Sequence, residues 1–364
     1  MPNNKRLSAA VVGATGIAGQ QFILALDNHP WFEMRYLAAS ERSAGKSYID
    51  ALTDEKTKTL RWYCNEPIPE NMKKMKVLQA EKLPVDDLDI VFTALESDAA
   101  KVLEPMYAQK KPVISTASAF RYEEDVPIFI PGVNMEQADI INVQKKKRGW
   151  KGFITPIPNC TTTGLAASLK PLQDTFGIDT VIMTSMQAIS GAGRSPGVLA
   201  LDITDNVIPY IHNEEDKVEK ETKKILGQYL EGKIIPAAIK VSATCTRVGV
   251  LDGHTETVYV SMKKDADPDK VKKTFKNYGK DFLSMKLPSS PPEFFVVHDD
   301  PMRPQPRLDR DLYGGMAVVI GRVRKDPALP NGIKYVVLSH NTKIGAAKGA
   351  VNVAEWLYKK GYIS

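Results

Sequence analysis

The sequence predicts an α/β chain of two domains: a doubly wound parallel sheet, then an α+β domain on a larger, mostly antiparallel or mixed sheet. Three observations predict it. Up to about residue 155, apolar strand-like runs alternate with helical stretches, as parallel strands with crossover helices do. From Thr180 the texture changes to long strand patterns joined by loops and helices. The length, 364 residues, also exceeds what one core ordinarily organises.

The first strand is expected at residues 8–12, an uncharged run leading straight into Gly13-Ala14-Thr15-Gly16-Ile17-Ala18-Gly19. A helix follows, with Phe22, Ile23 and Leu26 on one face. Glycines at a βα junction permit a tight turn, close backbone approach to a pyrophosphate, and close packing of helix on sheet. The spacing is GxxGxxG rather than the commoner GxGxxG. It reads either as a dinucleotide cradle in a Rossmann-type domain, with Gly13, Thr15, Gly16 and Ile17 at the cofactor, or as a glycine-rich turn without a nucleotide.

A second strand at 35–39 runs into Ser40-Glu41-Arg42-Ser43-Ala44-Gly45-Lys46. The hydroxyls of Ser40 and Ser43 and the guanidinium of Arg42 suit a 2′-phosphate, which favours NADP; Glu41 argues for free ribose hydroxyls and NAD. Further strands are expected at 77–79, 89–94, 112–115 and 128–130. Thr93-Ala94-Leu95-Glu96-Ser97 falls beyond the carboxyl end of its strand, on the edge where such sheets bind ligands, and adds Ser97 to the cofactor candidates.

The domain boundary carries the most informative stretch, Thr155-Pro156-Ile157-Pro158-Asn159-Cys160-Thr161-Thr162-Thr163-Gly164. Two prolines hold the approach extended, and a helical run with Leu165, Leu169 and Leu172 follows. A thiol at that junction faces unpaired amide hydrogens and the positive end of the helix dipole, which favour the thiolate. Cys160 is therefore either a nucleophile or a buried structural cysteine.

In the second domain, strands are expected at 180–185, 239–248, 255–262, 316–323 and 334–339. Pro288 to Pro306 holds six prolines and reads as an ordered irregular excursion. A closing helix over 344–360 should pack back on the first domain. Among five histidines, His254 is best placed to serve a thiol, in a turn between two strands. Arg247, seven residues earlier, suits a substrate carboxylate; an exposed histidine in a hairpin is the plainer reading. The loop Gln187-Ala188-Ile189-Ser190-Gly191-Ala192-Gly193-Arg194-Ser195-Pro196-Gly197 lets a ring approach the backbone closely. Residues 217–226 read by default as a solvated amphipathic helix with i,i+4 ion pairs.

Composition narrows the classes. A net charge of +6 suits an anionic small molecule and does not demand nucleic acid; Lys145-Lys146-Lys147-Arg148 reads as a solvated helix end. Three cysteines with no metal-ligand spacing argue against a disulfide framework and a metal site. No apolar run approaches the ~20 residues of a membrane helix, and Met1-Pro2-Asn3-Asn4-Lys5-Arg6 leaves no room for a signal peptide, so a cytoplasmic protein is expected.

These segments, with Leu201–Tyr210, Arg303-Pro304-Gln305-Pro306-Arg307-Leu308-Asp309-Arg310 and residues 341–353, run in order along nearly the whole chain. Together they resemble the aspartate-semialdehyde dehydrogenases of archaea and fungi. The resemblance implies a glyceraldehyde-phosphate-dehydrogenase-like pair of domains: an NADP-binding domain at 1–157 and 341–364, and a catalytic and dimerisation domain at 158–340. It implies NADPH-dependent reduction of aspartyl phosphate to aspartate semialdehyde, in the pathway to lysine, threonine and methionine. Cys160 would be the nucleophile, His254 the acid and base, and Gln187 the orienting amide. Arg247 would bind the α-carboxylate, Glu221 the α-ammonium, Lys224 and Arg121 phosphate, and Asn159 substrate beside the thiol. Ser190, Gly191, Gly193 and Asn341 would frame the nicotinamide. Inorganic phosphate would be a co-substrate, and a homodimer or homotetramer the assembly. Glu96-Ser97 and the stretch from Lys343 depart from the usual cofactor loops. A malonyl-CoA reductase on the same fold, or a non-catalytic nucleotide-binding scaffold, are the rival readings.

Overall fold

The computed structural model describes residues 6–193 and 197–364. The start of the chain, on which the expected lack of a leader rested, and Arg194, Ser195 and Pro196 lie outside the described residues. Two compact units emerge. One comprises Met1–Pro127, Asp139–Ile157 and Ala346–Ser364; the other comprises Ile128–Ala138 and Pro158–Gly345.

The first unit is built on six parallel strands: β1 Leu7–Val12, β2 Phe32–Ala39, β3 Val77–Gln79, β4 Ile90–Thr93, β5 Val113–Ser115 and β6 Ile154–Pro156. Their order is β3-β2-β1-β4-β5-β6, so the chain runs outward from β1 first one way and then the other, the doubly wound arrangement. Ala9 to Val12 are fully buried, which is why β1 carries no charge. The helix Ile17–Leu26 buries Phe22, Ile23 and Leu26. The carboxyl-terminal helix, Ala347–Lys359, belongs to this unit; its Glu355 Oε1 lies 2.9 Å from His29 Nε2, both side chains buried.

Residues 128–130 are not a strand. Two of their backbone groups bond to a side chain and not to a strand: Asn134 Oδ1 accepts from Ile130 N at 3.0 Å and Asn134 Nδ2 donates to Ile128 O at 2.7 Å. Isoleucines there are buried for packing, not pairing. The sixth strand is the proline-bounded Ile154–Pro156, tolerable because β6 is an edge strand needing fewer donors.

The second unit contains β7 Ile178–Gln187, a separate hairpin of β8 Gln228–Leu230 and β9 Lys233–Ile235, then β10 Lys240–Arg247, β11 His254–Met262, β12 Phe295–Val297, β13 Val318–Asp326 and β14 Gly332–Ser339. The sheet order is β10-β7-β11-β14-β13-β12. Its central pairings are antiparallel and its two edge pairings parallel. Leu165, Leu169 and Leu172 of the helix Cys160–Phe176 join Val258, Val260, Tyr335 and Val337 in one core. The proline-rich excursion is less irregular than its composition suggests, because Phe295–Val297 adds β12 to the sheet edge. Among the described residues no helix is long and apolar enough to cross a membrane.

Candidate active site

Cys160 is the first residue of the helix Cys160–Phe176, and Asn159 caps it. Asn159 Oδ1 accepts from Thr161 N at 2.8 Å and Thr162 N at 3.3 Å. The cap occupies two of the amides the helix start leaves open. Asn159 Nδ2 donates to Glu214 Oε1 at 2.9 Å, so this side chain is engaged by the protein on both its atoms. Cys160 keeps partial exposure and sits at the positive end of the dipole.

Three strand ends converge beside it. Gln187 closes β7, Arg247 closes β10 directly opposite Gln187 in register, and His254 opens β11. His254 thus belongs to the strand and not to a turn, and it is fully buried. The reason is Gly253, whose φ of +95 makes the bend one residue earlier and whose N–H is held by Asn341 Oδ1 at 2.9 Å. His254 Nε2 lies 3.2 Å from Cys160 Sγ, while His254 Nδ1 accepts from Ala188 N at 3.0 Å. An N–H donor at Nδ1 leaves the ring proton on Nε2, facing sulfur. Burial, the Arg247 charge and His340 push His254 down to about 3, so the ring is neutral at ordinary pH. The resting pair is a sulfur accepting from imidazole N–H.

Arg247 is buried; burial lowers it, against the opposing pull of Cys160 and Glu214, and a guanidinium stays charged nonetheless. Its Nη1 donates to Ala188 O at 2.7 Å. One backbone residue, Ala188, therefore fixes both the histidine and the arginine. Gly191 packs tightly on both: a Cβ there would stand 3.0 Å from Arg247 Nη1 and 3.1 Å from His254 Nε2, so either would have to give way. Gln187 is buried, with Nε2 donating to Ser185 Oγ at 3.1 Å.

Glu221 is wholly buried on the helix Glu214–Ile225 and not on a solvated face; its Oε2 accepts from Asn159 N at 2.7 Å. Lys224 lies one turn further and is half-buried. Asn341, buried, donates from Nδ2 to Ser190 Oγ at 2.8 Å and accepts from Gly253 N, so it ties the 188–193 loop to the histidine strand. Ser190, Gly191 and Gly193 lie in or at the end of the short 3₁₀ turn Ile189–Ala192. Sequence reasoning missed Glu214, which binds Asn159 and stands 3.4 Å from Thr161 Oγ1, and Glu256, buried two residues beyond His254.

The remaining candidates belong to the first unit. Gly13, with φ +83, packs so closely that a Cβ would sit 2.1 Å from Ala94 O, and a Cβ on Gly19 would sit 2.1 Å from Gly13 O. Thr15 and Gly16 complete the turn and Ile17 starts its helix. Ser40 and Arg42 are exposed and Ser43 half-buried in the loop leaving β2, with Glu41 exposed beside them. Ser97 Oγ is 2.7 Å from Ser118 Oγ, and Arg121 Nη2 donates to Thr116 O at 2.8 Å. No group of metal-binding side chains occurs among the described residues.

A family model described as semialdehyde dehydrogenase, NAD binding domain, matches residues 8–141, and one described as semialdehyde dehydrogenase, dimerisation domain, matches residues 169–344. The aspartate-semialdehyde dehydrogenase of Archaeoglobus fulgidus is 48% identical over 98% of this chain and 100% of its own. That of Methanothermobacter thermautotrophicus is 45% identical over 96% of this chain and 98% of its own. The chain belongs to the aspartate-semialdehyde dehydrogenase family. A crystal structure of the Candida albicans aspartate-semialdehyde dehydrogenase with NADP superposes with a TM-score of 0.87 at 41% identity, covering 99% of this chain and 100% of that one. The two-domain expectation of a doubly wound parallel sheet and a mixed sheet holds for this member of the aspartate-semialdehyde dehydrogenases.

Proposed function

We propose that this chain is an NADP-dependent aspartate-semialdehyde dehydrogenase that reduces aspartyl phosphate to aspartate semialdehyde and phosphate, and runs in reverse as a phosphorylating oxidation. The observation that carries the reading is the Cys160 sulfur at a helix start, 3.2 Å from a histidine whose proton is committed to Nε2.

Each residue type suits a step. Cys160 sulfur attacks the acyl carbon; a C–S bond forms, and phosphate leaves with the electron pair of the C–O bond. The Arg247 charge and the helix start stabilise the anionic sulfur. His254 Nε2–H donates to the oxygen that becomes anionic at the acyl carbon, and takes the proton back as that centre collapses to the aldehyde and releases sulfur. Gln187, adjacent to Arg247 in register, orients the reacting group. Arg247 binds the α-carboxylate; Glu221 binds the α-ammonium, with Asn159 beside the thiol. Lys224 and Arg121 bind phosphate.

When bound, NADPH supplies the hydride. The crowded backbone around Gly13 and Gly19 fits a dinucleotide cradle, because side chains there would fill the turn. Thr15, Gly16 and Ile17 would line it, with Ser97 nearby. Ser40, Arg42 and Ser43 would hold a 2′-phosphate, and Gly191 and Gly193, with Ser190 and Asn341, would frame the nicotinamide. Residues 1–157 and 341–364 would form the NADP-binding domain and 158–340 the catalytic one. A homodimer or homotetramer in the cytoplasm completes the proposal, with lysine, threonine and methionine synthesis as its setting.

Glu221 decides the substrate. The buried Glu221 carboxylate, which already accepts from Asn159 N, gains a charged partner only from a substrate that carries an ammonium, so a substrate without one forgoes a charge-assisted bond in a buried site. Wild type should turn over aspartate semialdehyde at least ~100-fold better than succinate semialdehyde or malonyl-CoA. Glu221→Gln should narrow that gap by harming the aspartate substrate. Equal or better use of malonyl-CoA would move the chain to the malonyl-CoA reductase reading; no turnover of any of them would favour the scaffold.

A further inference from the structure

Glu104 lies in the middle of the helix Ser97–Ala108 and is only 1% exposed. Its Oε1 accepts from Thr93 Oγ1 at 2.7 Å and from Ser115 Oγ at 2.5 Å. Those hydroxyls stand on the last residues of β4 and β5, paired in register. Because Ser115 donates to the carboxyl, its lone pair is available to accept Ala117 N at 2.9 Å. Thr116 N and Oγ1 then donate to Thr93 O at 3.0 and 3.3 Å, and Arg121 Nη2 donates to Thr116 O at 2.8 Å. On the other side, Ser97, at the start of Glu104's own helix, meets Ser118 at 2.7 Å.

One carboxyl group therefore braces both loops that leave the ligand-binding edge of the first sheet: 94–97, carrying Ser97, and 116–121, carrying Arg121. We infer that Glu104 is a positioning residue that sets these two loops for the dinucleotide and for phosphate by fixing the Thr93 and Ser115 hydroxyls. The inference rests on the proposed function for the identity of those ligands.

Burial pushes the Glu104 carboxyl up to about 7, against the opposing pull of the Ser115 and Thr93 hydroxyls and the Arg121 charge; Tyr107 is the other titratable group that feels it. A folded-state value raised from the ordinary 4.5 contributes stability that is full below 4.5 and is lost as pH rises to about 7. The ionised carboxylate that grips two hydroxyls best is thus the form that costs folding.

The test uses the full chain as wild type, Glu104→Gln and Ser115→Ala, at about pH 6 and pH 8. NADPH binding is read directly by its fluorescence, and thermal melting is followed in parallel. Beyond the nucleotide's own ionisation, wild type should bind NADPH ~5-fold more weakly at the lower pH, the scale of one ordinary hydrogen bond. Glu104→Gln should match wild type at the lower pH and bind ~5-fold more weakly than wild type at the higher pH, where it should melt at or above wild type. Its kcat at saturation should stay within about twofold while KM for NADPH and phosphate rises, because the residue touches neither the thiol nor the acyl carbon. Ser115→Ala should reproduce the binding loss without the gain in melting temperature. The nucleotide's own ionisation is common to all three proteins and cancels between them. An unchanged affinity in Glu104→Gln at the higher pH, or a melting temperature that falls with it there, would overturn the inference. Wild type that binds NADPH with this pH dependence yet turns over no aspartate semialdehyde would sink the functional reading and leave the positioning role standing.

Discussion

Gly191→Ala tests the geometry of the site with a single methyl group. Gly191 has no left-handed φ, so alanine fits its backbone, and the whole effect lies in what the new Cβ meets: Arg247 Nη1 at 3.0 Å, and His254 Cε1 and Nε2 at 3.1 Å. Ordinary carbon contacts begin near 3.5 Å, so the neighbours must retreat by a few tenths of an ångström. They have little freedom to do so. The imidazole is buried and held through Nδ1 by Ala188, and the guanidinium is held by the carbonyl of the same residue. The retreat therefore falls on the 3.2 Å contact between Nε2 and Cys160 Sγ. Tilting a ring from its rotamer costs ~1 kcal/mol, and displacing a proton donor by a fraction of an ångström costs a share of the ~100-fold that 1 Å would cost. We expect kcat to fall ~10- to 100-fold, Cys160 alkylation by iodoacetamide to slow, and the melting temperature to change little. The assays are steady-state turnover, alkylation rate and a thermal melt on one preparation. Turnover within twofold of wild type with unchanged alkylation would refute the close packing of Gly191 on the histidine and arginine.

Arg247→Lys should raise KM for the amino-acid substrate ~10-fold or more in steady-state assays, since lysine keeps the charge but loses the planar fork and the bond to Ala188 O; an unchanged kcat/KM would make Arg247 structural. Arg42→Ala should weaken NADPH by about tenfold and NADH hardly at all, because only NADPH presents a 2′-phosphate; a wild type that already prefers NADH would assign the ribose to Glu41 instead. Glu256 is buried, its oxygens have no hydrogen-bond partner among the described residues, and burial lifts its carboxyl well above 4.5. Its contribution to stability is full below that value and lost as pH rises through the raised one. Glu256→Gln should accordingly melt like wild type in acid, below about 4.5, and above wild type from neutral toward alkaline pH, read by thermal melts across that range; a variant that melts well below wild type at neutral pH would mean the carboxylate is ionised.

What the sequence made legible depended on whether a local pattern was allowed to stand. The glycine turn after β1 and the proline-bounded cysteine were readable because steric rules confine such residues to few conformations. His254 was misplaced by one residue in effect: Asp252-Gly253 signals a turn, and only the Asn341 contact from far along the chain shows that the turn ends before the histidine. The buried acids were legible in principle. Glu214 and Glu221 share a helical stripe with Val218 and Ile225, and all four are buried; the charge count of the segment hid the stripe. Glu256 likewise falls in step with Val258 and Val260 on the inward face of β11. The Thr93–Glu104–Ser115 bridge was not legible, because its members come from three elements that only the folded sheet brings together.

The most direct test of the account is NADPH formation by the purified chain from aspartate semialdehyde and NADP, with and without phosphate, in wild type and Cys160→Ser. The account predicts turnover that requires both aspartate semialdehyde and phosphate and falls more than ~100-fold in the serine variant, whose hydroxyl stays protonated and is the poorer nucleophile. Phosphate-dependent turnover that survives Cys160→Ser would contradict it, because the thioester on that sulfur is the step every other residue in the site is placed to serve.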